Sequence, residues 1–155
     1  MMRLAEKSKC RQRGAILAEM AIVSPILLFL MLATAEVTRA FIDHNTLTKS
    51  VRTGVRYIAA NAFQGTTGVV WISAALRAET QNLVVYGNFT GTGSPVLPGL
   101  VPADVTVTVL GADDIQVTAG HTISGLLGPV LSSFYGGPNF NLVHNLQATV
   151  TMRAL

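Results

Sequence analysis

The chain has 155 residues, room for about one domain, and half of its residues are apolar while only 12% are charged. That balance argues against an ordinary soluble domain and points to lipid or to the apolar surface of a partner. The net charge of +3 is not a nucleic-acid signal. Arg3, Lys7, Lys9, Arg11 and Arg13 against Glu6 give the first fourteen residues +4, leaving about −1 for the rest, where no basic patch interleaved with aromatics occurs.

Residues 1–14 form a basic leader that ends in Gly14. Cys10 lies within it; a lone cysteine can form no internal disulfide, and one placed before the apolar run is not a lipoprotein anchor.

The run that follows, residues 15–35, has Glu19 as its only charge and spans about 32 Å as a helix, close to a hydrocarbon core. Its Leu, Ile, Val and Phe side chains favour insertion by roughly 3 to 6 kcal/mol, while the off-centre carboxylate costs about 3 kcal/mol or less. Cations before the run and few after it put the amino end in the cytoplasm and the body outside. Pro25 cannot donate to the Ala21 carbonyl, which predicts a kink or a locally melted turn; the plainer reading is an ordinary tolerated membrane proline.

A secretory signal would use the small-x-small site at Ala33, Thr34 and Ala35 and release a chain starting at Glu36. Its apolar core would be too long, however, and would contain an acid. A basic leader ending in Gly, then apolar residues with Glu at the fifth position of the new chain, resembles the type IV prepilin leader. That resemblance implies cleavage between Gly14 and Ala15 by a membrane aspartic peptidase, and a pairing of Glu19 with the new terminal amine of a neighbouring subunit. A carboxylate and an ammonium about 4 Å apart attract by roughly 4 kcal/mol at an effective dielectric near 20, comparable with the cost of burying the acid. Pairing of Glu19 with its own Ala15 amine, four residues away on one helix face, and a position at headgroup level remain alternatives.

Further along, Glu19, Pro25, Glu36, Arg39 and Phe41 are followed by an Arg-x-Gly-x-Arg-Tyr element, Arg52, Gly54, Arg56 and Tyr57. In order and spacing this resembles the TadE-like proteins of the Tad (Flp) pilus, over residues 13 to 61, with Met20 standing where such proteins usually carry Phe. The resemblance implies a minor pilin or pseudopilin whose partners are the inner membrane, the prepilin peptidase, other pilin and pseudopilin subunits and the Tad assembly machinery.

Beyond the membrane, residues 36–62 read as a continuing stalk. Leu47, Val51, Val55, Ile58 and Ala62 gather on one helical face, with Lys49, Arg52 and Arg56 on another. A helix over residues 15–61 would be about 70 Å long. Gly54 costs such a helix about 1 kcal/mol relative to Ala but permits close packing. The basic row is either a solvated face or a contact for anionic headgroups or another subunit's acids.

Residues 63–155 read as a small α+β head. After a break at QGTTG, the pattern predicts a helix over residues 69–81, a short strand over 83–86, and an exposed loop over GNFTGTGSPVLPG. Its Asn88-Phe89-Thr90 sequon is set aside because the leader is bacterial in type. Alternation in DVTVTVL predicts a strand, turning at residues 111–114 into a partner over 115–119. A further alternating run occupies 146–153. Ile123, Leu126, Leu127, Val130, Leu131 and Phe134 recur at helical spacing, interrupted by Gly125, Gly128 and Pro129, which predicts a short or broken helix. The fold class is therefore α+β, a long N-terminal helix packed on a small antiparallel sheet as in pilins.

Nothing in the head reads as an enzyme. Asp113 and Asp114 are adjacent on a turn and point apart. His44, His121 and His144 lack ligand spacing, and Ser94, Ser124, Ser132 and Ser133 stand in no nucleophile-elbow pattern. The expectation is a structural subunit with no cofactor, metal, nucleic acid or small-molecule substrate. A membrane anchor that never assembles and a secreted binding module remain the rival readings.

Overall fold

The computed structural model describes residues 2–63, 69–125, 128–131 and 136–155. The chain divides into two compact units, Met1–Arg39 and Ala40–Leu155, with helix α1, Met2–Asn61, contributing to both.

In the first unit α1 is helical throughout and continues through Pro25. Its apolar side chains from Ile16 to Leu32 are exposed on every face, and the most apolar window reaches a mean hydropathy of 2.4 with none of it buried. Such a surface is stable only in lipid or against other helices. Two threonines here bond back to the helix: Thr34 donates to the Leu30 carbonyl and Thr38 to the Thr34 carbonyl, the usual way a helix satisfies a hydroxyl away from water.

In the second unit α1 buries the stripe that its periodicity predicts: Leu47, Val51, Ile58 and Ala62 are fully buried and Val55 is 1% exposed. Helix α2, Ala74–Tyr86, begins where the Ser73 hydroxyl accepts from Leu76 N and ends at Gly87, whose φ of 71° only glycine adopts cheaply. A 3-10 turn, Pro102–Asp104, leads into β1, Val105–Leu110, which is followed by β2, Asp114–Ile123, β3, Val130–Leu131, β4, Phe140–Asn141, and β5, His144–Arg153. The main sheet is antiparallel in the order β1-β2-β5; β3 and β4 form a separate ribbon. One face of the main sheet, including Val105, Val107, Ile115, Val117, Ala119 and Ala148, closes a single core with α1 and with Val84 and Val85 of α2. The other face is polar: Thr106, Thr118 and Thr149 lie in one cross-strand row, and the Thr118 and Thr149 hydroxyls are 3.1 Å apart. The chain's last residues tie the layers together, with Ala154 N donating to the Asp113 carbonyl at 2.7 Å and Leu155 N to the Ala59 carbonyl at 3.0 Å.

Four expectations change. Residues 83–86 are the last turn of α2 rather than a strand: the β-branched pair Val84 and Val85 is fully buried, and that burial outweighs a weak local preference for strand. The helix starts at Ala74 rather than at 69 because Ser73 is its cap, while Val70 bridges to Phe63. The helical spacing after Ile123 also fails in the described residues. Ile123 ends β2, opposite His144, and Val130–Leu131 is a strand paired with β4, directly after Gly128, at φ 97°, and Pro129, two residues that do not suit a helix interior. The QGTTG break, Leu126, Leu127 and Phe134 lie outside the described residues. The predicted loop is irregular, as its composition requires, yet it is not wholly exposed, since Leu97 drops into the core at 3% exposure.

Candidate functional site: the N-terminal helix and its junction with the head

The residues singled out by the sequence separate along α1. Gly14 and Ala15 lie within its helical backbone, and Glu19 and Pro25 sit on an exposed surface that is otherwise apolar. Glu36 is half-buried, whereas Arg39 and Phe41 are exposed. Lys49, Arg52 and Arg56 are exposed as well. Arg52 and Arg56, being four residues apart, raise the energy of the helix by a few tenths of a kcal/mol when no anion faces them.

Gly54 and Tyr57 turn the other way, into the fold. A Cβ on Gly54 would lie 2.4 Å from Cγ2 of Val84 and 3.5 Å from Cγ2 of Thr80, so the absent side chain is what lets α2 approach α1. Thr80 is itself fully buried and donates to the Leu76 carbonyl at 2.7 Å, so the contact holds no unsatisfied hydroxyl. One turn further along, Tyr57 donates its hydroxyl to Oε2 of Glu79 on α2 at 2.7 Å. Its ring meets that of Phe89 at a centroid distance of 4.8 Å. The Arg-x-Gly-x-Arg-Tyr element thus divides its work: glycine and tyrosine dock the head on the helix, and the two arginines face away.

The bond to the Glu79 carboxylate, followed by burial and the repulsion that a tyrosinate would meet, raises the Tyr57 hydroxyl above the ordinary tyrosine value of 10.0. Because the folded value is the higher one, the bond's contribution is complete below the ordinary value and disappears as pH climbs through the raised one. Tyr57→Phe should keep the Phe89 contact and cost about 1 kcal/mol or less, the pair being partly exposed. Ultraviolet titration with Tyr57→Phe as the assigning variant checks this: Glu79→Gln should bring Tyr57 back toward the ordinary range.

The contacts made by Thr80, Val84, Glu79 and Phe89 had no signal in the sequence, since nothing in a pattern of spacing says which helix lies over Gly54. His121 is likewise more than a scattered histidine. It is 6% exposed, and its Nε2, 3.1 Å from the Pro98 carbonyl oxygen, donates to it and pins the loop before β1 to the sheet.

Residues 14–56 match the family model described as TadE-like protein. This segment is TadE-like. The match opens on Gly14, takes in Glu19, Pro25, Glu36, Arg39, Phe41, Arg52 and Gly54, and closes on Arg56, one residue before Tyr57. Over that segment the chain is similar to TadE-like proteins of Tad pilus systems, and the apolar stretch of α1 gives it the length and hydropathy to span a membrane. No curated protein and no solved structure matches the chain.

Proposed function

We propose that the protein is a minor pilin or pseudopilin of a Tad (Flp) pilus, which functions in adhesion. Residues 15–35 insert the precursor in the bacterial inner membrane with the amino end in the cytoplasm and the head on the periplasmic side. A prepilin peptidase cuts between Gly14 and Ala15, where a residue without a Cβ lets the backbone enter a tight peptidase site. The mature helix then packs among those of other pilin and pseudopilin subunits, with Glu19 paired to a neighbour's new amine and Pro25 placed to kink the helix. One observation carries this reading: a TadE-like match that begins at Gly14 leads straight into an exposed apolar helix whose single acid stands five residues on.

The mature N-terminus tests it. Intact-mass spectrometry of the protein from its native envelope should find a chain beginning at Ala15, and Gly14→Leu should leave the precursor as the only species. A retained leader on functional protein would make it a simple anchor, and a chain beginning at Glu36 would make it a secreted module; either result overturns the proposal.

A further inference from the structure

The directions of the backbone amides in the main sheet leave one edge open. Ala154 N donates to the Asp113 carbonyl, and the register sets Met152 opposite Ile115, Val150 opposite Val117 and Ala148 opposite Ala119. The even-numbered residues of β5 therefore bond to β2, and the odd ones, Asn145, Gln147, Thr149, Thr151 and Arg153, direct their N–H and C=O groups away from it. Leu155, next in that odd series, donates outward to Ala59. Among the described residues no strand pairs with this outer edge.

The opposite edge is not equivalent. There α2 lies beside β1, and Gln81 Nε2 donates to the outward carbonyl of Val105 at 2.8 Å. Apart from the terminal Arg153, β5 lacks the usual defences of an edge strand. From His144 to Met152 it has no lysine, no proline and no acid, and its pairing with β2 runs without a bulge over ten residues. On its inner face Leu146, Val150 and Met152 are only half-buried, so apolar surface stays exposed along the rim of the core.

We propose that the outer edge of β5 takes up an extended segment of a different polypeptide, with apolar residues at alternate positions, as a fourth strand of the sheet. The free amides and carbonyls supply main-chain bonds, and the half-buried Leu146, Val150 and Met152 select apolar side chains at every second position. A second copy of this chain does not fit. Pairing β5 with its own mate places a two-fold axis perpendicular to the sheet. That axis reverses residues 40–61 of α1, which pack on the sheet's inner face, so the two copies of this helix would run in opposite directions, against the common membrane orientation of the proposed function on which this exclusion rests. Pairing with a copy's β1 meets an edge whose first carbonyl, that of Val105, is already taken by Gln81 of α2.

The test uses the full chain in detergent micelles, amide exchange read by nuclear magnetic resonance, and as probe a short alternating Val/Thr peptide with a lysine at each end. In the free protein the amides of Gln147, Thr149 and Thr151 should exchange about 100-fold or more faster than those of Ala148, Val150 and Met152. The peptide should slow the outward set about 10-fold or more, whereas a peptide with lysine in place of each valine should not. Thr149→Pro removes one outward N–H at a position where an edge strand tolerates proline, and should abolish uptake while Thr149→Val retains it. Should Thr149→Pro not fold, Thr151→Pro, nearer the strand's end, carries the same comparison. The proposal is overturned if the outward amides of the free protein are already as slow as the inward ones, if the Val/Thr peptide leaves them unchanged, if the proline variant takes it up equally well, or if protection grows with protein concentration alone, which would mark a second copy as the occupant.

Discussion

Glu19→Leu is expected to leave the protein in the membrane and out of the pilus. Removing the only charge of residues 15–35 favours insertion by about 3 kcal/mol or less, so membrane fractionation should recover as much protein as before. Assembly responds in the opposite direction. The neighbour's amine, paired at roughly 4 kcal/mol with Glu19 present, would be buried against leucine. Stranding one partner of a buried ion pair costs about 3 to 5 kcal/mol, a factor of roughly 150 to 5,000 in the assembly equilibrium. Glu19→Gln keeps the shape and one hydrogen bond without the charge and should fall between the two. Quantifying sheared pili against membrane-held protein reads both halves of the prediction together, and normal piliation by the leucine variant would refute the pairing role. In the proposed pairing, Glu19 penalises a lone helix when unpaired and fixes one axial register when paired.

Gly54→Val is expected to unfold the head or to separate α2 from α1. With a Cβ only 2.4 Å from Val84 Cγ2, even alanine forces a stiff, fully buried β-branched side chain to move. Overpacking of this kind costs about 1 to 3 kcal/mol, against about 1 kcal/mol gained in helix propensity, so Gly54→Ala should be destabilising by a small margin. Valine adds two methyl groups where none fits and should exceed 3 kcal/mol, a large share of the ~5 to 15 kcal/mol that stabilises a typical domain. Denaturant unfolding of the full chain in micelles measures this. The pair Gly54→Ala with Val84→Ala decides the cause: steric conflict predicts a coupling of about 0.5 to 3 kcal/mol that restores stability, because the new methyl fills the space that Val84 gives up. Additive losses would mean instead that the glycine is needed for backbone freedom.

Much of this molecule is written in local pattern. The basic leader, the apolar run with one acid, the stripe of Leu47, Val51, Val55, Ile58 and Ala62, and the alternation of residues 105–109 and 146–153 each follow from side-chain period and hydropathy. The structure exposes the apolar run, buries the stripe and pairs both alternating segments as strands. These features are legible because a helix or strand that must bury one face, or enter lipid on all faces, has to repeat that demand every few residues. Glu19 and Gly14 stand out for the related reason that each interrupts a pattern.

What the pattern leaves undetermined is settled by neighbours distant in the chain. Leu83 to Tyr86 reads as strand by residue type and becomes helix because Val84 must meet Gly54. Ile123 and Val130 carry helical spacing yet lie in strands, because the register of β2 runs on to His144 and β4 waits opposite β3. The partner of Tyr57 and the difference between the covered edge of β1 and the open edge of β5 have no local signature at all, since each depends on where α2 comes to rest. Sequence period specifies which face of an element is buried; only the packed tertiary structure specifies against what, because the free energy of that choice resides in contacts between residues distant in the chain.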